Sequence, residues 1–303
     1  MRELQMGNQK GFILNKIIDE ALAIEAEEAR KAGALGFMAR SLVQATLPHT
    51  QVDGNEFRRT NGAFTLTMLA PSNVGLPYGN IPRIVLAWLT TEAVKTRSRD
   101  IVLGETLSQF MRELDMVPTG GRWGSITRLR EQMVRLFSCF VSCTYTGENH
   151  SGLRNIMIAD EAALWWDPQN PAQAALWEST VRLSERFYTE ITENPIPIDL
   201  RALRALRRSP LALDVYCWLT HRFGYLKNQT QIPWAALQAQ FGAGYSFEGQ
   251  GARDFKRAFL RVLKAVQIVY PQANVEDGGT FLILKPSQTS VKKLFSFQQL
   301  ELG

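Results

Sequence analysis

Apolar residues along this chain recur mostly at helical spacing, with short alternating runs between them. Ile81, Ile84, Val85, Trp88 and Leu89 share one face of a helix predicted over about 80–96. Asn80 is its candidate cap, and Pro82 sits in its first turn. A short strand from Asp100 to Leu103 leads to a helix over about 105–115, and Gly120 and Gly121 then break the chain. A helix over about 124–138 follows, with Ile126, Leu129, Met133, Leu136 and Phe137 as its buried stripe. The segment FSCFVSC (137–143) closes that helix and enters a strand running through Thr144. After the polar loop GENHSG, a second strand covers Leu153 to Ile158.

The same order returns further on. Ser209-Pro210 reads as a cap followed by proline at the first helical position, with Leu211, Val215, Trp218 and Leu219 on the apolar face. A helix from about Trp234 to Phe241 comes next. A helix over about 252–266 then buries Phe255, Phe259, Val262, Leu263 and Val266. Strands flank Asp277-Gly278-Gly279, which is strong hairpin chemistry. Trp88-Leu89-Thr90 recurs as Trp218-Leu219-Thr220, an offset of 130. At that offset Leu107 meets Leu237, Leu129 meets Phe259, Met133 meets Leu263 and Leu136 meets Val266; Phe110 meets Phe241 at 131. Two copies are too few for a solenoid and indicate two related domains. Three helices and a hairpin make a winged helix, in which the third helix enters the DNA major groove. The expected fold is therefore α+β, mostly helical, with tandem winged-helix domains related by internal duplication.

Alternation predicts strands ahead of both copies, at Phe64–Met68 and Phe187–Ile191. The expected layout is a helical N-terminal extension over 1–55 and a first winged-helix domain over 56–165. A linker and strand over 166–200, a DNA-binding second winged helix over 201–290 and a tail over 291–303 follow. Within the extension, 11–30 reads as a helix with Leu14, Ile17, Ile18 and Leu22 apolar, too short for a coiled coil. The tail carries Lys292 and Lys293.

With 45% hydrophobic and 21% charged residues, the 303-residue chain can bury sizeable cores. Three cysteines, Cys139, Cys143 and Cys217, argue against a disulfide-stapled secreted fold and suit a reducing cytoplasm. No apolar run approaches the roughly 18 residues of a membrane span, so no membrane partner is expected. There is no P-loop, no G-x-S-x-G elbow and no H-E-x-x-H motif. FGAGYSFEGQGA does not fit G-x-G-x-x-G and reads as a loop. Cys139, Cys143 and His150 could be read as zinc ligands, but the spacing is off-pattern and no fourth ligand is evident. No metal, cofactor or enzymatic activity is expected. A nicking enzyme using Tyr145 or Tyr188 would lack a clustered metal site.

The net charge of +5 is unevenly spread. Residues 138–197 hold 3 basic and 8 acidic side chains, whereas 198–270 hold 11 and 4. A basic block of this kind suits a polyanion partner. On the helix over 252–266, Arg253, Arg257, Arg261 and Lys264 fall opposite the apolar stripe, with Lys256 on its flank and only Asp254 to offset them. An ordinary solvated face would mix in Glu for i,i+4 pairs. Phosphate and base contacts are therefore expected there. On the helix over 124–138, Arg128 and Arg135 face outward around Glu131, Arg130 lies near the apolar edge, and Arg122 lies in the preceding loop. DNA contact and protein contact fit that face equally well. The helix from Asp199 to Arg208 carries Arg201, Arg204 and Arg208 on one side. It reads as Leu200, Leu203 and Leu206 packed beneath a charged rim.

Three stretches resemble plasmid-encoded RepA replication initiators: GLPYGNIPRIVLAWLTTEAVKT (75–96), GRWGSITRLREQMVRLF (121–137) and IPIDLRALRALRRSPLALDVYCWLTHR (196–222). ARDFKRAFLRVL (252–263) is similar to the recognition helix of iteron-binding initiators built from two winged helices. The resemblance implies a protein that binds repeated sites in the plasmid origin duplex, helps melt adjacent AT-rich DNA and recruits host replication proteins. Those are the helicase or its loader and the host initiator. It also implies dimers that repress or couple origins to limit copy number, and a bacterial, cytoplasmic, plasmid-associated location. A winged-helix transcriptional repressor without origin function is the competing expectation.

Overall fold

The computed structural model describes residues 29, 31–147, 151–175, 178–242 and 244–291. The helix expected over 11–30, His150 and the tail lysines lie outside them. The chain runs β1 (Leu35–Met38), α1 (Arg40–Gln44), β2 (Glu56–Asn61), β3 (Phe64–Leu69), α2 (Ile81–Thr96), β4 (Asp100–Val102) and α3 (Leu107–Glu113). It continues with α4 (Ser125–Phe137), β5 (Phe140–Thr146), β6 (Ser151–Met157), β7 (Ala159–Ala163), β8 (Thr180–Leu183), α5 (Glu185–Glu193) and β9 (Ile196–Asp199). It closes with α6 (Leu200–Leu206), α7 (Pro210–Phe223), β10 (Thr230–Pro233), α8 (Trp234–Phe241), α9 (Gln250–Val269), β11 (Val275–Asp277) and β12 (Phe281–Leu284).

The sheets order these elements into two similar halves. In the first, α2, β4, α3 and α4 are completed by the hairpin β7–β8, giving a three-stranded sheet in the order β4-β8-β7. In the second, α7, β10, α8 and α9 are completed by β11–β12, in the order β10-β12-β11. The hairpin expected directly after α4 goes elsewhere. β5 and β6 join β2 and β3 in a four-stranded antiparallel sheet, ordered β2-β3-β5-β6. Alternation drives this pairing, because Phe57, Met68, Val141 and Ile156 form one cross-strand row and all four are buried.

The strand expected over Phe187–Ile191 is instead helix α5. Ser184 Oγ accepts from Phe187 N at 3.2 Å and caps it, and Phe187, Glu190 and Ile191 are buried at helical spacing. The stretch 166–200, read as a linker with a strand, carries β8, α5 and β9, and β9 pairs antiparallel with β1. Asn80 does not cap α2. Its amide donates to Arg207 O at 2.8 Å, fastening the helix start to the chain after α6. Ser209, by contrast, caps α7 as expected, accepting from Ala212 N at 3.2 Å.

One continuous apolar core runs through both halves. The positions matched at an offset of 130 are buried in each copy: Leu107 and Leu237, Leu129 and Phe259, Met133 and Leu263, Leu136 and Val266. Trp88 meets Phe110 edge-on with ring centres 5.0 Å apart, and Trp218 meets Phe241 the same way at 5.5 Å. Arg83 on α2 reaches Asp214 on α7 with two hydrogen bonds of 2.7 Å. Its remaining N–H groups donate to the carbonyls of Leu47, Pro48 and Gly79, so the buried guanidinium is fully satisfied. His49 Nε2 lies 2.7 Å from the other side of the Asp214 carboxylate. Arg59, also buried, lies over the Phe57 ring.

Candidate nucleic-acid interface

Helix α9 is amphipathic along its twenty residues, and its core face sets where the cations point. Phe255, Phe259, Leu263 and Val266 are buried, and Val262 is half-buried. Phe259 packs against Trp234, Phe241 and Phe255, with ring centres 5.6–5.8 Å apart. Arg253, Arg257, Arg261 and Lys264 are exposed on the opposite side, as the helical spacing predicts. Arg257 is the most prominent at 77% exposure, and its guanidinium meets Asp254 Oδ1 at 2.5 Å. Arg253 Nε donates to Gln250 Oε1. Among the described residues, Arg261 and Lys264 make no ion pair. This row offers planar and point-charge donors with few competing carboxylates, which suits phosphates and guanine edges.

Lys256 is differently placed. Its ammonium donates to Gly279 O at 2.6 Å, sits 3.0 Å from Asp277 Oδ1 and lies over the Trp234 ring. It ties α9 to the β11–β12 hairpin, so only a minor share of its charge is open to a ligand. Asp277 is held below the usual carboxylate range. Its burial opposes this, but the bonds from Lys256 and the Gly279 amide prevail. Sequence spacing showed Lys256 on the helix flank, but the hairpin carboxylate that engages it is visible only in three dimensions.

The first half is less open. Arg128 and Arg122 are exposed, as expected. Arg135 is not: its side chain is 15% exposed, folded under the loop before α2. There it donates to Leu76 O and Glu131 Oε1 and lies over the Tyr78 ring. The helix wheel pointed it outward because the wheel omits that loop. Arg130, read near the apolar edge, is exposed. On α6, Leu203 and Leu206 are buried beneath a charged rim, most of it engaged, with Arg208 exposed. Arg201 pairs with Asp199, while Arg204 and Arg207 both meet Asp115 at the end of α3.

Cys139 and Cys143 are buried beside and within β5, and burial pushes both thiols up to about 12. Among the described residues no group of His, Cys, Asp and Glu is arranged to hold a metal ion. Trp123, between Arg122 and Gly124, was passed over in the sequence and is 79% exposed. A tryptophan set among glycines in a breaker segment is the signal that could have found it.

The model of the family described as plasmid encoded RepA protein matches residues 76–235, more than half of the chain. The chain belongs to this family. Membership in the RepA family supports a role in replication initiation. The matched range takes in α2 to β10 and stops at the start of α8, so α9 lies beyond it. No curated protein sequence matches the chain. Among solved structures, domains 2 and 3 of RctB match at a TM-score of 0.50 and 10% identity, over 82% of this chain and 96% of that one. A second structure of the same RctB domains gives 0.48 and 10%, over 81% and 96%. At such identity the first of these speaks for a shared fold alone. Among the described residues no helix is long and apolar enough to cross a membrane.

Proposed function

We propose that this RepA-family chain is a plasmid replication initiator without enzymatic activity, working through binding energy. Each half is taken as a winged helix, supported by the sheet orders β4-β8-β7 and β10-β12-β11 behind three helices. The observation that carries DNA binding is the exposed row Arg253, Arg257, Arg261 and Lys264 on α9, the third helix of the second half. The targets are repeated sites in the origin duplex. Bending a short site costs on the order of 1–6 kcal/mol, and DNA stacking is roughly 1.4 kcal/mol per step. Several protomers bound side by side could offset both and open adjacent AT-rich DNA. Recruitment of the host helicase, its loader or the host initiator follows from the family resemblance.

Self-association is assigned to the first half, where it opposes origin activation and limits copy number. Its four-stranded sheet leaves Leu69, Phe140 and Met157 side by side in one cross-strand row on the open face, with Glu56 at the β2 end of that row. Leu69 is 42% exposed and Met157 41%.

Footprinting the full chain on DNA flanking its own gene tests the reading. Repeated protected segments beside an AT-rich tract are expected. A log–log salt slope near −5 is also expected, if about six phosphates are neutralised. A flat salt response, or no preference over random duplex, refutes it. One protected promoter site without repeats places the protein among repressors. Strand cleavage with magnesium or manganese would make it an enzyme.

A further inference from the structure

The loop between α3 and α4 is built as a rigid pedestal. Thr119 N donates to Ser125 Oγ at 2.9 Å, Ser125 N donates back to Thr119 Oγ1 at 2.8 Å, and Ser125 Oγ donates to Val117 O at 2.6 Å. Gly124 N and Thr127 Oγ1 both donate to Gly121 O at 3.0 Å. Gly121 adopts a φ of 84°, and a Cβ on Gly124 would collide with the carbonyl oxygens of Thr119 and Gly120. The backbone is thus fixed over 117–125. At its tip Trp123 is 79% exposed, with the Arg122 guanidinium over its ring, 5.0 Å from the centroid. The fixed loop thus presents a flat π-face and a guanidinium together to solvent, the pair of groups that single-stranded nucleic-acid sites combine.

We infer that this loop is a stacking platform for an unpaired base of single-stranded DNA, with Trp123 as the stacking surface and Arg122 as the phosphate contact. The charge around it selects nucleic acid over protein. Residues 116–130 contain Arg122, Arg128 and Arg130 and no carboxylate, and the flanking Asp115 and Glu131 are engaged by Arg204 and Arg207 and by Arg135. All three arginines are exposed, and Arg128 lies one helical turn beyond the loop. Aromatic faces beside a cationic track accept any base, because every base has a π-face. Trp165 provides the internal contrast. It is 57% exposed but stands on the β7–β8 hairpin, where Asp160, Glu161, Asp167 and Glu178 outnumber Arg182 and, among the described residues, only Asp160 is engaged by a cation from outside, Arg99. The platform deepens the initiator reading, since origin opening is what supplies the single strand.

The test compares the full-length protein with Trp123→Ala, Trp123→Phe, Arg122→Ala and Trp165→Ala. The probes are a 20-nucleotide oligothymidylate, the same oligomer with abasic sites, and the duplex flanking the gene. Trp123→Ala should weaken oligothymidylate binding about ten-fold or more, Trp123→Phe should retain most of it, and Trp165→Ala should change nothing. Arg122→Ala should weaken it and flatten its salt dependence. Wild-type protein should lose affinity for the abasic oligomer, and Trp123→Ala should not lose further. Duplex affinity and melting temperature should hold throughout. Unchanged oligothymidylate binding by Trp123→Ala overturns the platform. So does an equal loss on duplex, or a changed sedimentation with both DNA affinities intact, which would make Trp123 a protein contact. If Trp123→Ala fails on oligothymidylate while wild-type protein ignores the flanking duplex, the platform stands and the initiator reading falls.

Discussion

Two residues two positions apart on α9, and so on different faces of it, separate recognition from folding. Arg257 is exposed and pairs with Asp254, whereas Phe259 is fully buried among three aromatic rings. Arg257→Ala should cost about 1–3 kcal/mol in specific binding and relax discrimination at one base position. Its melting temperature should barely move, since an exposed helix substitution usually lies within about 0.5 kcal/mol. Phe259→Ala should leave a cavity costing about 3–5 kcal/mol and lower binding only through unfolding. The ion pair adds a converse: Asp254→Asn frees Arg257 and should tighten binding at low salt. Arg128→Ala should matter less than Arg257→Ala, because Arg257 stands in a row of four exposed cations while Arg135, the other outward cation expected beside Arg128, is folded under the loop before α2. Measured affinities and melting curves decide this. An intact Arg257→Ala beside a crippled Arg128→Ala would move the reading head to the first half.

At the scale of elements, the four-stranded sheet makes the sharper claim. Its inner face is closed by the row Phe57, Met68, Val141 and Ile156, while its outer face carries Leu69, Phe140 and Met157 side by side. Met157→Lys places a charge in that outer row without touching the core. Sedimentation should show the full-length variant shifting from dimer to monomer, with origin binding per protomer retained. A Met157→Lys protein that remains dimeric would exclude this face. Leu153, 67% exposed on the same strand, is separated from this row by Arg58, Thr67, Ser142 and Asn155, so Leu153→Lys should leave the dimer intact.

The whole molecule is held at its centre by Arg83, Asp214 and His49, which join the two halves through α2 and α7. Asp214→Asn leaves a buried guanidinium without its counter-charge and should cost about 3–5 kcal/mol. Burial would raise the Asp214 carboxyl, but Arg83 and His49 together outweigh it and hold the group below its usual range. That contribution is fully present above the ordinary carboxyl value of about 4 and is lost as the pH falls below it. Burial lowers the His49 imidazole from 6.5, outweighing the nearby carboxylate that Arg83 already neutralises. A lowered histidine means the unfolded chain takes up the proton first, so stability falls as pH drops below about 6.5. Melting temperatures from pH 7.5 to 5 should decline, and His49→Gln should flatten that decline. A variant with the wild-type slope would show that another group carries it.

Local spacing determined much of this protein from its sequence alone. Helices α2, α4, α7, α8 and α9 fall where the 3.6-residue periodicity puts them. Their buried stripes follow, because which face of a helix enters a core depends on residues a turn apart. The sequence repeat matched Trp88 to Trp218 at an offset of 130 and Phe110 to Phe241 at 131, but that each tryptophan meets its phenylalanine edge-on came only from the structure. The outward row of α9 came with its stripe. What tertiary structure alone decided were the choices between distant partners. Phe187–Ile191 alternates like a strand, yet Ser184 caps it into a helix that buries Phe187 and Ile191. β5 and β6 could have closed the first three-helix unit, but their apolar rows match β2 and β3, and β7–β8 takes that place. Arg135 and Lys256 were cations on a wheel until the Gly75–Tyr78 loop and the β11–β12 hairpin engaged them. A helix wheel records one element's own geometry, whereas a charge is free or engaged according to what other elements bring to it.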